Sequence, residues 1–227
     1  MTIAKYPFRI VKAITERAMS ELSSAQHQIH QMLSMQDAMN TRVSDSWQTN
    51  NYEWYRAIWV ECAEMLDHHG WKWWKHQVID VEQVQLELVD IFHFGLSLRL
   101  MSGKAVADIC AELSHELTQP CIETDFKIAL ENLASAAISN KTFDAIALAN
   151  CMQLMNMNLD KLFRQYVGKN TLNFFRQDHG YKDGSYLKMW HGAEDNEVLA
   201  KVVKSLDANA ENFQQQVYQA LKSHYPG

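Results

Sequence analysis

The chain has 227 residues, enough for one sizeable core or at most two small domains, and 47% of them are hydrophobic, an ordinary globular share. A formal net charge of −6 offers no basic arm for duplex nucleic acid, and only 8 Gly and 3 Pro argue against a turn-rich β architecture. Cys62, Cys110, Cys121 and Cys151 are widely spaced with no C-x-x-C, which excludes a zinc or disulfide framework, and no apolar run reaches transmembrane length, so a soluble cytoplasmic protein is expected.

Helical periodicity recurs along the chain and predicts helices near 9–40, 52–69, 81–101, 104–117, 122–139, 142–166, 170–177 and 196–223. In the first, Ile29, Leu33, Gln36 and Asn40 step by four, three and four, so two amides end an apolar stripe. An amide presents a donor and an acceptor together, as the edge of a nucleobase demands; the bland alternative is that the pair satisfies backbone groups at a helix end. The polar run Ser44–Asn51 reads as a loop.

In the second helix Trp54, Ala57, Ile58 and Met65 form the apolar stripe, and Glu61 and Glu64 fall within it. The run Trp71-Lys72-Trp73-Trp74-Lys75 carries more indole than a short connection needs, to stack on a base, to wall off a site or to fill the core. Asp80 with Gln83 resembles a capping box opening the third helix, and Gly103 marks its end. There Val84, Leu88, Ile91 and Phe94 make the stripe, with Glu87 and Asp90 beside them. His93 follows Asp90 by three, as a metal ligand or as a satisfied polar neighbour.

Side chains three apart share a helix face, so each acidic pair converges on one point. Like charges gathered on an inward face need a counter-charge, and oxygen-only clusters suit a hard cation such as Mg²⁺. The competing reading is of solvated helix charges. Further along, the stretch Asp178–Asp195 holds Gly180, Gly184 and Gly192, and a long glycine-bearing loop in a helical chain is a place for function. Around it Lys169, Arg176, Lys182 and Lys188 are interleaved with Phe174, Phe175, Tyr181, Tyr186 and Trp190. Such cations recognise phosphate, or else form a solvated surface. No repeat, strand alternation or composition shift divides the chain, so residues 1–227 read as one all-α domain.

The strings WVECAEMLDHHGWKWWK (59–75), LELVDIFHF (86–94) and FRQDHGYKDGSYLKMWHGAEDN (175–196) closely resemble the all-α, dimeric dUTPase family. An E-x-x-E followed by an E-x-x-D is shared with MazG-like nucleotide pyrophosphatases, whereas the WKWW run and the G-Y-x-x-G-x-Y-x-K-x-W loop point to dUTPases. The resemblance implies a helical bundle of the all-α NTP pyrophosphatase type with a C-terminal phosphate loop. It implies Mg²⁺, as two or more ions, on Glu61, Glu64, Glu87 and Asp90, with Glu61 orienting and deprotonating the attacking water. It implies that Gln36 and Asn40 read the uracil edge beside Trp74 and His93. It places Lys72, Lys75, Lys169, Arg176, Tyr181, Lys182, Tyr186 and Lys188 on the phosphate and sugar side, with Asn196 closing that motif. The implied reaction is hydrolysis of dUTP to dUMP and pyrophosphate by a homodimer, limiting uracil in DNA; attack at the β-phosphorus also admits dUDP.

Three other readings stay open on sequence. A MazG-like or dCTP-directed pyrophosphatase differs only in its base pocket, where an amide can flip to suit either pyrimidine. A carboxylate-bridged di-metal bundle calls for an E-x-x-H pair on each of two helices, which the two acidic pairs here do not supply. A non-catalytic helical interaction module would carry the same acids as surface charge.

Overall fold

The computed structural model describes residues 8–207, 210 and 212–227, with side chains from Ser24 onward. Pro7 and part of the expected 196–223 helix lie outside the described residues. Within them the chain forms nine helices: α1 (Phe8–Val43), α2 (Trp54–His69), α3 (Val81–Leu100), α4 (Val106–Leu117), α5 (Phe126–Asn140), α6 (Ala145–Leu154), α7 (Leu159–Asp178), α8 (Asp195–Ser205) and α9 (Phe213–His224). Two short strands, β1 (Met189–Trp190) and β2 (Ala193–Glu194), pair antiparallel between α7 and α8. This is the all-α bundle expected, and none of its described helices is long and apolar enough to cross a membrane.

Short polar side chains cap the starts of α3, α5, α6 and α7. Asp80 accepts from Gln83 N at 3.1 Å to open α3, and Asp125, Asp144 and Asn158 cap α5, α6 and α7 in the same way. Each such cap supplies a partner to amides that the first turn leaves orphaned, worth about 1 kcal/mol.

Two expected boundaries are corrected. The stretch read as helices 142–166 and 170–177 breaks instead at Met155–Asn158. There Asn156 takes a left-handed φ of 53° and Asn158 begins a new helix. That helix, α7, then runs unbroken through the expected gap, because Gly168 serves packing: a Cβ there would meet Val203 of α8 at 2.6 Å. The stretch read as one helix over 196–223 likewise becomes α8 and α9. Leu206 leaves α8 in extended backbone, and Asn212 precedes α9.

The α2–α3 hairpin is the most extensive helix pair; α1 packs on α3, α4 and α7, and α7 on α8 and α9. Ile29, Leu33, Ile58, Met65, Leu88, Ile91, Phe92 and Tyr166, from α1, α2, α3 and α7, are fully buried in one continuous core. Burying a side chain of this size contributes about 1.5–3 kcal/mol. That shared core fixes the faces from which the polar groups described next project.

Candidate active site

Glu61 on α2 and Glu87 and Asp90 on α3 bring carboxylate oxygens within 4.8 Å of one another. Glu87 is buried, and Glu61 and Asp90 are half-buried. Desolvation and then the charge of Asp90 hold both glutamates well above the usual carboxylate range. With the charge of Asp90 beside them, ionising both glutamates together is disfavoured. His68 Nε2 stands 3.4 Å from Glu87 Oε1. Glu64 differs from its expected inward place: it is exposed and outside the cluster of three, although its charge still reaches Glu61 and Glu87. Three hard oxygen donors in a partly dry setting, costly to ionise together, fit a divalent cation of the Mg²⁺ type.

The cations expected on the phosphate side do not share one setting. Lys169 on α7 is buried, and its Nζ lies 2.8 Å from Asp90 Oδ2 and 3.5 Å from Asn196 Oδ1. It therefore joins α3, α7 and α8 at the acidic cluster. Arg176 sits at the root of the glycine-bearing loop. Its Nε and Nη2 donate to Asp195 at 2.8 and 2.9 Å, and Nη1 donates to Asn173. Tyr186 Oη donates to the same Asp195 at 2.8 Å, and the Tyr181 ring lies beside the guanidinium. Arg176, a member of the expected phosphate motif, thus directs its fork to a fully buried carboxylate. Lys182 is exposed on the loop, and Lys188 faces Glu194 across the β1–β2 ladder at 3.9 Å. Lys72 pairs with Asp67 at 2.9 Å, and Lys75 is exposed.

The two amides of α1 are buried together. Gln36 Nε2 donates to Asn40 Oδ1 (3.0 Å) and Ser97 Oγ (3.1 Å), Asn40 Nδ2 donates to Ser97 Oγ (2.9 Å), and Tyr166 Oη donates to Gln36 Oε1 (2.7 Å). His93 stacks on Tyr166 with ring centroids 4.0 Å apart. One of its ring nitrogens, Nδ1, lies 2.9 Å from Val89 O, while the buried Nε2 has no partner among the described residues, and burial lowers the imidazole pKa to about 4. His93 is therefore neutral and lies outside the acidic trio. Trp74, expected at the base, is exposed and makes edge contacts with Trp71 and Trp73.

Ser97, Tyr166, Asp195 and His68 escape a reading by motif. Ser97 had a signal, since it lies seven residues after Asp90 and four after His93 on one face of α3. Tyr166 and Asp195 are joined to the site only by tertiary packing, which spacing along the chain does not carry.

The sequence model described as dUTPase matches residues 28–181. That stretch holds Gln36, Asn40, the four acids, Lys169 and Arg176, and it ends before Tyr186, Lys188 and Asn196. Among curated proteins no significant match is found.

Proposed function

The chain belongs to the dUTPase family and hydrolyses dUTP, and from that premise we propose that it does so with Mg²⁺ held by Glu61, Glu64, Glu87 and Asp90. The products are dUMP and pyrophosphate, which keeps uracil out of DNA, and attack at the β-phosphorus extends the reaction to dUDP. The observation that carries this reading is the convergence of Glu61, Glu87 and Asp90 within 4.8 Å. Mg²⁺ is normally held by one or two carboxylates together with substrate phosphates, so this surplus of acids supports two or more ions. When bound, Mg²⁺ supplies Lewis acidity and countercharge to the polyphosphate.

The protein's own groups do the rest. Glu61, set beside Glu87 and Asp90, orients the attacking water and takes its proton. Lys169, Lys182, Lys188 and Arg176, with Lys72, Lys75, Tyr181, Tyr186 and Asn196, offset charge on the phosphates and hold the sugar side. Gln36 and Asn40, with His93 and Trp74, take the uracil. The loop from His179 to Glu194 closes over the nucleotide and excludes water.

The enzyme acts as a homodimer of one all-α domain per chain, and the exposed apolar side chains Val78, Ile79, Ile122 and Ile138 support an association surface. Four free thiols suit the reducing cytoplasm. The test is pyrophosphate release from dUTP, dCTP, dTTP and dATP with and without Mg²⁺. Metal-dependent release that favours dUTP is the expected result. Release that needs no metal overturns the role of the acids, and equal rates on all four substrates overturn the base assignment.

A further inference from the structure

Resting on the assignment of Gln36 and Asn40 to the base, we propose that Ser97, assisted by Tyr166, locks the orientation of both amides and so makes the pocket select uracil over cytosine. Ser97 Oγ has one proton and faces three partners: His93 O at 3.1 Å, Gln36 at 3.1 Å and Asn40 at 2.9 Å. The proton goes to His93 O in a bond back along the helix, so both amides must turn their NH₂ groups toward the hydroxyl oxygen. Gln36 Nε2 then spends its two hydrogens on Ser97 and Asn40, and Gln36 Oε1 accepts from Tyr166.

The opposite arrangement is frustrated. If both amides flip, two carbonyl oxygens face a hydroxyl with a single proton, and one oxygen–oxygen contact near 2.9 Å stays unrelieved. If only one flips, the 3.0 Å contact between Gln36 and Asn40 becomes oxygen to oxygen or NH₂ to NH₂. Tyr166 adds to this bias, because its hydroxyl is closer to Gln36 Oε1 (2.7 Å) than to its other acceptor, Met32 O (3.1 Å). All four side chains are buried, with Ser97 and Tyr166 fully so, and water is therefore poorly placed to repair a wrong orientation.

Gln36 emerges with no donor to spare, whereas Asn40 keeps one N–H and one carbonyl lone pair. A fixed donor beside a fixed acceptor complements O4 and N3–H of uracil. Cytosine presents the reverse order, N4–H₂ and an unprotonated N3, and would require the flipped amide. Asn40 is then the reader, while Gln36, Ser97 and Tyr166 are positioning residues acting through it.

The experiment measures kcat/KM for dUTP and dCTP with saturating Mg²⁺ in wild type, Ser97→Ala and Tyr166→Phe. The expected result is a wild-type preference for dUTP that falls by about tenfold or more in Ser97→Ala, with dCTP hydrolysis rising in absolute terms, and by less in Tyr166→Phe. A purely structural role would depress both substrates together and leave their ratio intact, and that outcome overturns the lock. If Ser97→Ala does not fold, the near-isosteric Tyr166→Phe decides by the same ratio. A wild type indifferent to the pyrimidine overturns the base assignment itself, which is a different failure from an unchanged ratio in the variants.

Discussion

Lys169 Nζ lies 2.8 Å from Asp90 Oδ2, and both side chains are largely withdrawn from solvent, at 11% and 20% exposure. An ammonium on α7 is thus the protein's own countercharge to the acids that α2 and α3 crowd together. It also lowers the proton affinity of Glu87, which desolvation and Asp90 raise. The same cation touches Asn196 at the start of α8, so the acidic cluster and the C-terminal part of the fold are joined through one side chain.

Substituting Lys169→Met should therefore leave Asp90 without its partner while keeping the packing of the aliphatic stem. Removing one member of a fully buried pair costs about 3–5 kcal/mol, and the residual exposure here brings the expected loss below that range, to about 2–3 kcal/mol. Thermal melts of the metal-free protein should show that loss, and saturating Mg²⁺ should recover part of it. A variant as stable as wild type without metal would show that Lys169 is not the countercharge.

The acidic cluster also makes stability depend on pH in a defined direction. Burial and mutual repulsion lift the Glu61–Glu87 pair from 4.5 to about 8 and about 7. The folded chain then binds more protons than the unfolded one, so this contribution is fully present below 4.5 and is lost as pH rises through the native values. His93 works the other way: its pKa falls from 6.5 to about 4, so its contribution is present above 6.5 and is lost on acidification. The two oppose each other below 6.5, and the carboxylates stand alone above it. Metal-free protein should accordingly lose melting temperature between about pH 6.5 and about pH 8.5, and saturating Mg²⁺ should flatten or reverse that slope. Calorimetry in buffers of different ionisation enthalpy should detect protons released on Mg²⁺ binding.

Much of this was legible from spacing alone. The Glu61 and Glu87/Asp90 faces follow from a period of 3.6, and the cap at Asp80 follows from a local rule about orphaned amides. Glu64 was not legible as an exposed group, because it shares the i, i+3 relation with Glu61 and only the roll of α2 against α3 separates the two. Spacing and motif put Arg176 among the phosphate-side cations and carry no sign of Asp195, its partner nineteen residues away. The break at Asn156 was missed for a similar reason: apolar periodicity continues across it, and only the left-handed backbone ends the helix.

The Arg176–Asp195 pair should govern the glycine-bearing loop. Asp195 is fully buried, accepts a bidentate fork and a tyrosine hydroxyl, and opens α8. Arg176→Lys retains the charge but not the fork, so one carboxylate oxygen loses its charged partner at a cost of about 1–3 kcal/mol. Tyr186→Phe, which deletes one bond, should cost about 1 kcal/mol. Hydrogen exchange should rise over the loop and the first turn of α8 in both variants, more strongly in Arg176→Lys. Unchanged exchange in Arg176→Lys would mean that the loop is held by its aromatic contacts, such as Tyr186 stacked on Tyr225 at 5.5 Å, instead.

Glu87 and Glu64 should respond to neutralisation in opposite ways, because one is buried among like charges and the other is exposed. Glu87→Gln removes a charge that the fold must desolvate next to Glu61 and Asp90, so the metal-free protein should gain stability, on the order of 1 kcal/mol. The same change deletes a donor from the cluster. Activity should fall by several kcal/mol of barrier, roughly 10²- to 10³-fold, and the rise in melting temperature with Mg²⁺ should largely disappear. Glu64→Gln should leave metal-free stability within about 0.5 kcal/mol of wild type, as surface changes usually do. Its activity is the informative quantity. A loss as large as that of Glu87→Gln means that Glu64 turns inward to join the ion, whereas near-wild-type turnover confines the metal site to Glu61, Glu87 and Asp90.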